Sequence, residues 1–110
     1  MAGWFEFNKS NDDQFRFVLK AGNAETILTS ELYKAKTSAE NGIASVQSNC
    51  ANDDRYERKE AKNSKHYFNL KAANHQIIGT SQIYESAQSC EKGIESVKAN
   101  GASTTVKNNI

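Results

Sequence analysis

Two cysteines and two histidines are the first residues to weigh for chemistry. Cys50 and Cys90 stand 40 positions apart, and neither His66 nor His75 lies beside either of them. A metal centre needs three or four ligands, which usually arrive in close pairs such as Cys-x-x-Cys. No such pair occurs, so no metal and no cofactor is expected. A serine or cysteine nucleophile needs a base within reach, and the histidines fall at unrelated places in the two halves of the chain. His75 reads as a solvated turn residue and His66 as a half-buried packing residue. There is no Gly-rich phosphate loop, no His-Glu-x-x-His and no Gly-x-Ser-x-Gly. These residues point away from an enzyme and toward a non-enzymatic binding or accessory module whose partner, protein or nucleic acid, is not named by the sequence.

The elements that must position any site come from a chain of 110 residues with net charge +1, 37% hydrophobic residues and no proline. That length suits one ordinary domain, and the balanced charge excludes a long acidic or basic tail. The start, Met1-Ala2-Gly3-Trp4-Phe5-Glu6, lacks the basic and apolar segments of a secretory signal. No window approaches the ~20 apolar residues of a membrane span. A cytoplasmic protein with two free thiols and no membrane partner is expected.

The dominant feature is a duplication. Shifted by 51 residues, Phe15–Asn49 lies on His66–Asn100 without a gap, and 16 of the 35 positions are identical. Residues 1–102 read as a single domain of two units, 1–51 and 52–102, with 103–110 a loose tail or an edge strand. Each unit is too small to bury its own apolar face. The two should share one core about a pseudo-two-fold axis, a dimer written on one chain, and so a monomer in solution.

Within each unit the apolar period changes from two to about 3.6. Phe5 and Phe7, then Phe15, Phe17 and Leu19, then Ile27 and Leu28 predict three strands. Ala39, Gly42, Ile43 and Val46 mark one stripe of a helix. Thr37-Ser38-Ala39-Glu40 fits a capping box, and Gly22-Asn23 is the expected site of positive φ in the second turn. The second unit repeats the pattern with strands near 55–60, 66–71 and 76–80, and a helix near 87–99. Ser86 stands where it could cap that helix. Cys90 sits on the helix stripe as a small hydrophobe; Cys50, between the units, is expected to be exposed. The fold class is α+β: tandem duplicated β(3)-α units forming one antiparallel sheet with both helices on one face.

The doubled pattern Leu-Lys-Ala-x-Asn, Thr-Ser-x-x-Tyr and Glu-x-Gly-Ile-x-Ser-Val resembles the YegP-like family, small bacterial proteins built on a tandem domain of unknown function. The resemblance runs from Trp4 to about Asn100. It implies two β(3)-α units in one sheet, with terminal strands open to exchange between units, and it brings no activity or catalytic residue. The second unit departs at Ala73 for Gly22 and at Gly79 for Leu28.

Two sets of residues are candidates for binding. Polar positions recur in both units without being demanded by the apolar pattern: Lys20 and Lys71, Ser30 and Ser81, Tyr33 and Tyr84, with Asn23, Asn74, Ser45 and Ser96. They would form paired ligand or partner sites if their side chains converge on a cleft. Residues 55–71 carry six cations against two carboxylates, with tyrosines interleaved. Arg55, Arg58, Lys59, Lys65 and Tyr67 are the alternative, a surface for single-stranded nucleic acid.

Overall fold

The computed structural model describes residues 3–10 and 12–108; Met1, Ala2, Asn11 and the last two tail residues lie outside the described residues. Seven strands and two helices alternate as the apolar periods require. They are β1 (Trp4–Lys9), β2 (Phe15–Lys20), β3 (Thr26–Ser30), α1 (Lys36–Asn49), β4 (Tyr56–Glu60), β5 (His66–Lys71), β6 (Ile77–Thr80), α2 (Ala87–Asn100) and β7 (Val106–Asn108). All seven strands form one sheet in the order β4-β5-β6-β3-β2-β1-β7. The two triplets meet where β3 pairs antiparallel with β6, and there Thr29 lies opposite Thr80, its own counterpart in the repeat. The pseudo-dyad therefore passes between these two strands.

One row of residues shows which face is covered. Phe17 donates its backbone N–H to Ser30 Oγ, Ser30 pairs with Gly79, Gly79 with Leu70, and Leu70 with Tyr56. Both helices pack on this side. Their stripes, Ala39, Gly42, Ile43 and Val46 on α1 and Cys90, Gly93, Ile94 and Val97 on α2, are buried against Phe5, Phe17, Leu19, Phe68 and Leu70. Matching edge-to-face pairs fill the two halves: Phe5 with Phe17 at 5.8 Å and Tyr56 with Phe68 at 5.7 Å between ring centroids. Neither α1 nor α2 packs on the opposite face.

Each unit has a bulge at the same place. Leu19 pairs with Leu28 and Lys20 with Thr26, leaving Ile27 as the extra residue; Leu70 and Lys71 pair with Gly79 and Ile77, leaving Ile78. In the first unit the extra residue turns two successive apolar side chains, Ile27 and Leu28, inward; in the second it turns Ile78. The Leu28-to-Gly79 departure follows from the dyad. A β-carbon on Gly79 would stand 2.9 Å from Leu28 Cγ. Near the axis only one of two equivalent positions can hold a large side chain.

Four expectations are corrected. The sheet is mixed, because β7 joins the outer edge of β1 in parallel; the other five pairings are antiparallel. Cys50 is buried at 1% exposure rather than exposed, because Gly101 packs against it. A β-carbon on Gly101 would lie 2.7 Å from Cys50 Cβ. Thr37 does not cap α1: the helix begins one residue earlier and its N-cap, Ala35, makes no side-chain bond. Its counterpart Ser86 does cap α2, accepting from Ser89 N–H. Positive φ falls on Ala24 and His75, at 70° each, and not on Gly22 or Asn23. Asn23 serves the turn instead by accepting the Glu25 N–H at 3.1 Å.

Candidate functional site

The repeated polar residues are sorted by how β3 and β6 leave the sheet. Ser30 Oγ accepts the Phe17 N–H at 2.9 Å and donates to the Glu31 carbonyl at 2.8 Å. Ser81 Oγ does the same with Phe68 N–H at 3.0 Å and the Gln82 carbonyl at 2.7 Å. The hydroxyl takes the place of a ladder carbonyl while the chain swings out. Three residues on, the chain returns: Phe15 and Tyr33 exchange backbone hydrogen bonds at 2.7 Å, as His66 and Tyr84 do at 2.8 and 2.6 Å. Each tyrosine ring is thereby laid between a strand and a helix. Tyr33 stacks on Phe17 at 6.4 Å and Tyr84 on Phe68 at 6.5 Å, nearly parallel in both cases. The helix gives way through glycine. A β-carbon on Gly42 would stand 2.7 Å from the Tyr33 hydroxyl, and one on Gly93 would stand 2.6 Å from Tyr84 Cζ.

Beside each tyrosine lies a cleft, and each cleft is built from both units. The first, of about 260 Å³, joins Tyr33, Ser38, Gly42 and Ser45 of the first unit to Ala72, Asn74, Gln76 and Ile78 of the second. The second, of about 360 Å³, joins Tyr84, Ser89, Gly93 and Ser96 to Ala21, Asn23, Glu25 and Ile27. Glu31, Asn41 and Ile77 complete the first, Gln82 and Lys92 the second. All but Ile77 have their counterpart in the other cleft at the 51-residue offset, and seven of these ten pairs are identical. Across the other 25 positions of the 35-residue repeat only nine are identical. The duplication has kept the clefts more faithfully than the rest.

The shared lining is uncharged: a phenol, two serine hydroxyls and a carboxamide over an Ala, Gly and Ile floor. Part of this polarity is spent on the fold. Asn23 and Asn74 Oδ1 each accept a turn N–H, and Ser45 and Ser96 Oγ meet Asn49 and Asn100 Nδ2 at 3.3 Å. The tyrosine hydroxyls have no hydrogen-bond partner among the described residues. Burial pushes the Tyr33 phenol above its ordinary range, and the neighbouring Glu31 charge adds to the shift.

Of the six residues put forward for paired sites, Tyr33 and Tyr84 line the clefts. Ser30 and Ser81 are buried under them as chain-turning groups. Lys20 and Lys71 lie on the uncovered face, where Lys71 Nζ stands 3.1 Å from Glu57. Ser38 and Ser89 were missed, although their identity in both copies is the same signal that singled out the tyrosines. Nor do the five residues of the nucleic-acid alternative share one surface. Arg58 turns to the helix side, bonding Glu91 at 2.5 Å and Asp53 at 3.0 Å. Arg55 holds Asn49 at 2.9 Å, and Lys65 sits in the β4–β5 turn. Only Lys59 and Tyr67, paired across β4 and β5, lie on the uncovered face. No group of three or more His, Cys, Asp or Glu comes together among the described residues.

A seven-stranded sheet from two β-β-β-α units, with both helices on one face and a cleft at each unit boundary, defines a tandem α+β pseudo-dimer. The domain of unknown function DUF1508 matches twice, at residues 10–57 and 61–108, the same offset as the repeat. The chain is 73% identical over 109 residues to the UPF0339 protein YegP of Escherichia coli K12, covering 99% of each. It is 62% identical to a UPF0339 protein of Shewanella oneidensis, covering 97% of each. The solution NMR structure of the E. coli protein, described as of unknown function, superposes with a TM-score of 0.94, covering 99% of this chain and 94% of that one. That of the Shewanella protein superposes with a TM-score of 0.93, covering 98% and 92%. The chain belongs to the UPF0339 family.

At the 51-residue offset β4 is the counterpart of β1, and it lies beside β5 as β1 lies beside β2. β7 adds outside β1, and no strand among the described residues adds outside β4. No helix among the described residues is long and apolar enough to cross a membrane.

Proposed function

We propose that the protein is a non-enzymatic binding module, a cytoplasmic monomer that takes a small, uncharged, hydrogen-bonding ligand in each of its two clefts. The observation that carries this reading is the preference of the duplication for the cleft linings, seven identical pairs of ten. Packing accounts for the aromatic rings, since a phenylalanine would stack on Phe17 or Phe68 equally well. It does not account for a hydroxyl at both positions, each on a tyrosine that lines a cleft together with two serines and an asparagine. A concave site with an apolar floor and a few converging polar groups is the usual form of a small-molecule site. The shared groups carry no charge, which favours a polyol, a sugar or an amide over an anion. The monomer reading is supported by the clefts, because one chain supplies both sides of each.

Amide chemical-shift mapping of the labelled protein against pooled neutral polyols, sugars and amides tests the reading. Shifts should appear on both sides of a cleft, at Ser38, Gly42 and Asn74 or at Ser89, Gly93 and Asn23. A screen in which no pool moves these amides at millimolar concentration would count against it.

A further inference from the structure

The sheet face turned away from the helices is a second surface, separate from the clefts. Trp4 stands opposite Lys20, and Glu6 opposite Val18. From Val18 the row continues through Thr29 and Thr80 to Asn69 on β5. The floor is thus a band of small neutral side chains that ends on Glu6 at one edge and Glu57 at the other, with Trp4 next to Glu6 on the same face of β1. Tyr67 lies on the same face of β5, four strand spacings from Trp4, about 19 Å.

Charge is segregated onto this face. Its strands carry Arg16, Lys20, Lys59, Lys71 and Lys107 against Glu6 and Glu57, a balance of +3 on a chain of +1, so the remainder sums to −2. The two carboxylates are already engaged. Glu57 is met by Lys71 at 3.1 Å and by Asn69 at 3.2 Å, and Glu6 accepts from Trp4 Nε1 at 2.6 Å. Lys107 Nζ lies 4.3 Å from the Trp4 ring. Arg16 and Lys20 make no ion pair among the described residues.

We propose that this face docks single-stranded nucleic acid, with phosphates on Arg16 and Lys20 and bases stacked on Tyr67 and Trp4. A neutral floor bordered by cations and partly exposed aromatic rings is what stacking without sequence readout requires. A duplex would hide its bases from the rings, and an acidic peptide would leave them unused. The partner that uses both features is a single strand.

The test is fluorescence anisotropy of a labelled oligothymidylate of about a dozen nucleotides, titrated with the full chain over a range of salt. Binding should weaken with salt, and Arg16→Gln/Lys20→Gln should flatten the log–log slope by about 1.4, two contacts at about 0.7 each. Tyr67→Ala should weaken binding about ten-fold at fixed salt, within the range for one lost base stack. Lys34→Gln/Lys36→Gln, at the start of α1 and equal in charge change, should leave the slope as it was. Should a Tyr67 variant not fold, amide shifts of the unaltered protein serve: they should move on β1, β2 and β5 and not on the helices. No binding at low salt, equal competition by polyaspartate, or binding to anionic vesicles without binding to the oligonucleotide would each overturn the proposal.

Discussion

Gly42 and Tyr33 are fitted to one another: a β-carbon at Gly42 would lie 2.7 Å from the Tyr33 hydroxyl and 2.8 Å from Phe17 Cε2. Gly93 and Tyr84 repeat the relationship in the second unit. In each case a helical glycine lets a ring lie flat on the helix, and the ring becomes a wall of the cleft.

Two effects oppose each other when that glycine is changed. Alanine in a helix interior is better than glycine by about 1 kcal/mol. Overpacking a filled site costs about 1–3 kcal/mol. Phe17 is fully buried and cannot retreat, so Gly42→Ala should destabilise by about 1–2 kcal/mol in urea unfolding despite its better propensity. Gly93→Ala meets mainly the half-buried Tyr84 ring. It should cost less and displace that ring into the cleft, seen as altered Tyr84 shifts.

The helix starts offer a matched pair. Ser86 caps α2, while Ala35 leaves α1 without a side-chain cap. Ala35→Ser should stabilise the protein by about 1 kcal/mol, and Ser86→Ala should destabilise it by a similar amount. Thermal unfolding of the two variants should show midpoints moving in opposite directions. Equal shifts of one sign would mean that the two helix starts are not related as described.

Ala24 and His75 hold the left-handed conformation that closes their turns, each at φ 70°. An L-residue with a β-carbon carries about 1–2 kcal/mol of strain there. Glycine relieves it, partly offset by its greater freedom in the unfolded chain. Ala24→Gly and His75→Gly should each raise stability by about 0.5–1 kcal/mol. A drop in the melting midpoint for both would contradict the turn geometry.

Much of the fold was legible because the repeat let each unit check the other. Phe17 with Phe68, Ile43 with Ile94 and Val46 with Val97 were placed in the core by period alone, and all six are buried. What could not be read comes from the axis and the edges. Cys50 looked like a linker residue because nothing local reveals that Gly101, far along the chain, makes room for it. The parallel β7 pairs with the outer edge of β1, a strand about a hundred residues earlier, and no local pattern reports that contact. For the clefts, identity between copies found the tyrosines but could not separate a hydroxyl that turns the chain, as in Ser30, from a side chain that lines a cleft. That distinction rests on which backbone groups the strand leaves unpaired.

Tyr56 gives a pH prediction. It is 6% exposed and donates to the Cys50 carbonyl at 2.6 Å. Burial, reinforced by Cys50 and by the Asp53 and Glu95 carboxylates, pushes its phenol well above the ordinary value near 10. The folded protein therefore holds this proton more tightly than the unfolded chain does. The stability it contributes is fully present below pH 10 and is lost as pH rises past it, where only unfolded chains ionise. Melting midpoints should fall above that pH, with tyrosinate absorbance from Tyr56 appearing only on unfolding. Tyr56→Phe should flatten the fall while lowering stability at neutral pH by about 1–3 kcal/mol, because the Cys50 carbonyl loses its partner.

The central claim is that a ligand sits between the two units, under the tyrosine hydroxyls. It is tested most directly by intermolecular nuclear Overhauser contacts from the strongest neutral ligand of the screen, measured with the unaltered protein and with Tyr33→Phe/Tyr84→Phe. The account predicts contacts from one ligand to residues of both units at once, Tyr33 with Asn74 or Tyr84 with Asn23, and affinity reduced about five-fold or more when the hydroxyls are removed, as for a lost hydrogen bond of about 1 kcal/mol. Contacts confined to one unit or to the uncovered sheet face, with affinity unchanged in the double variant, would contradict it.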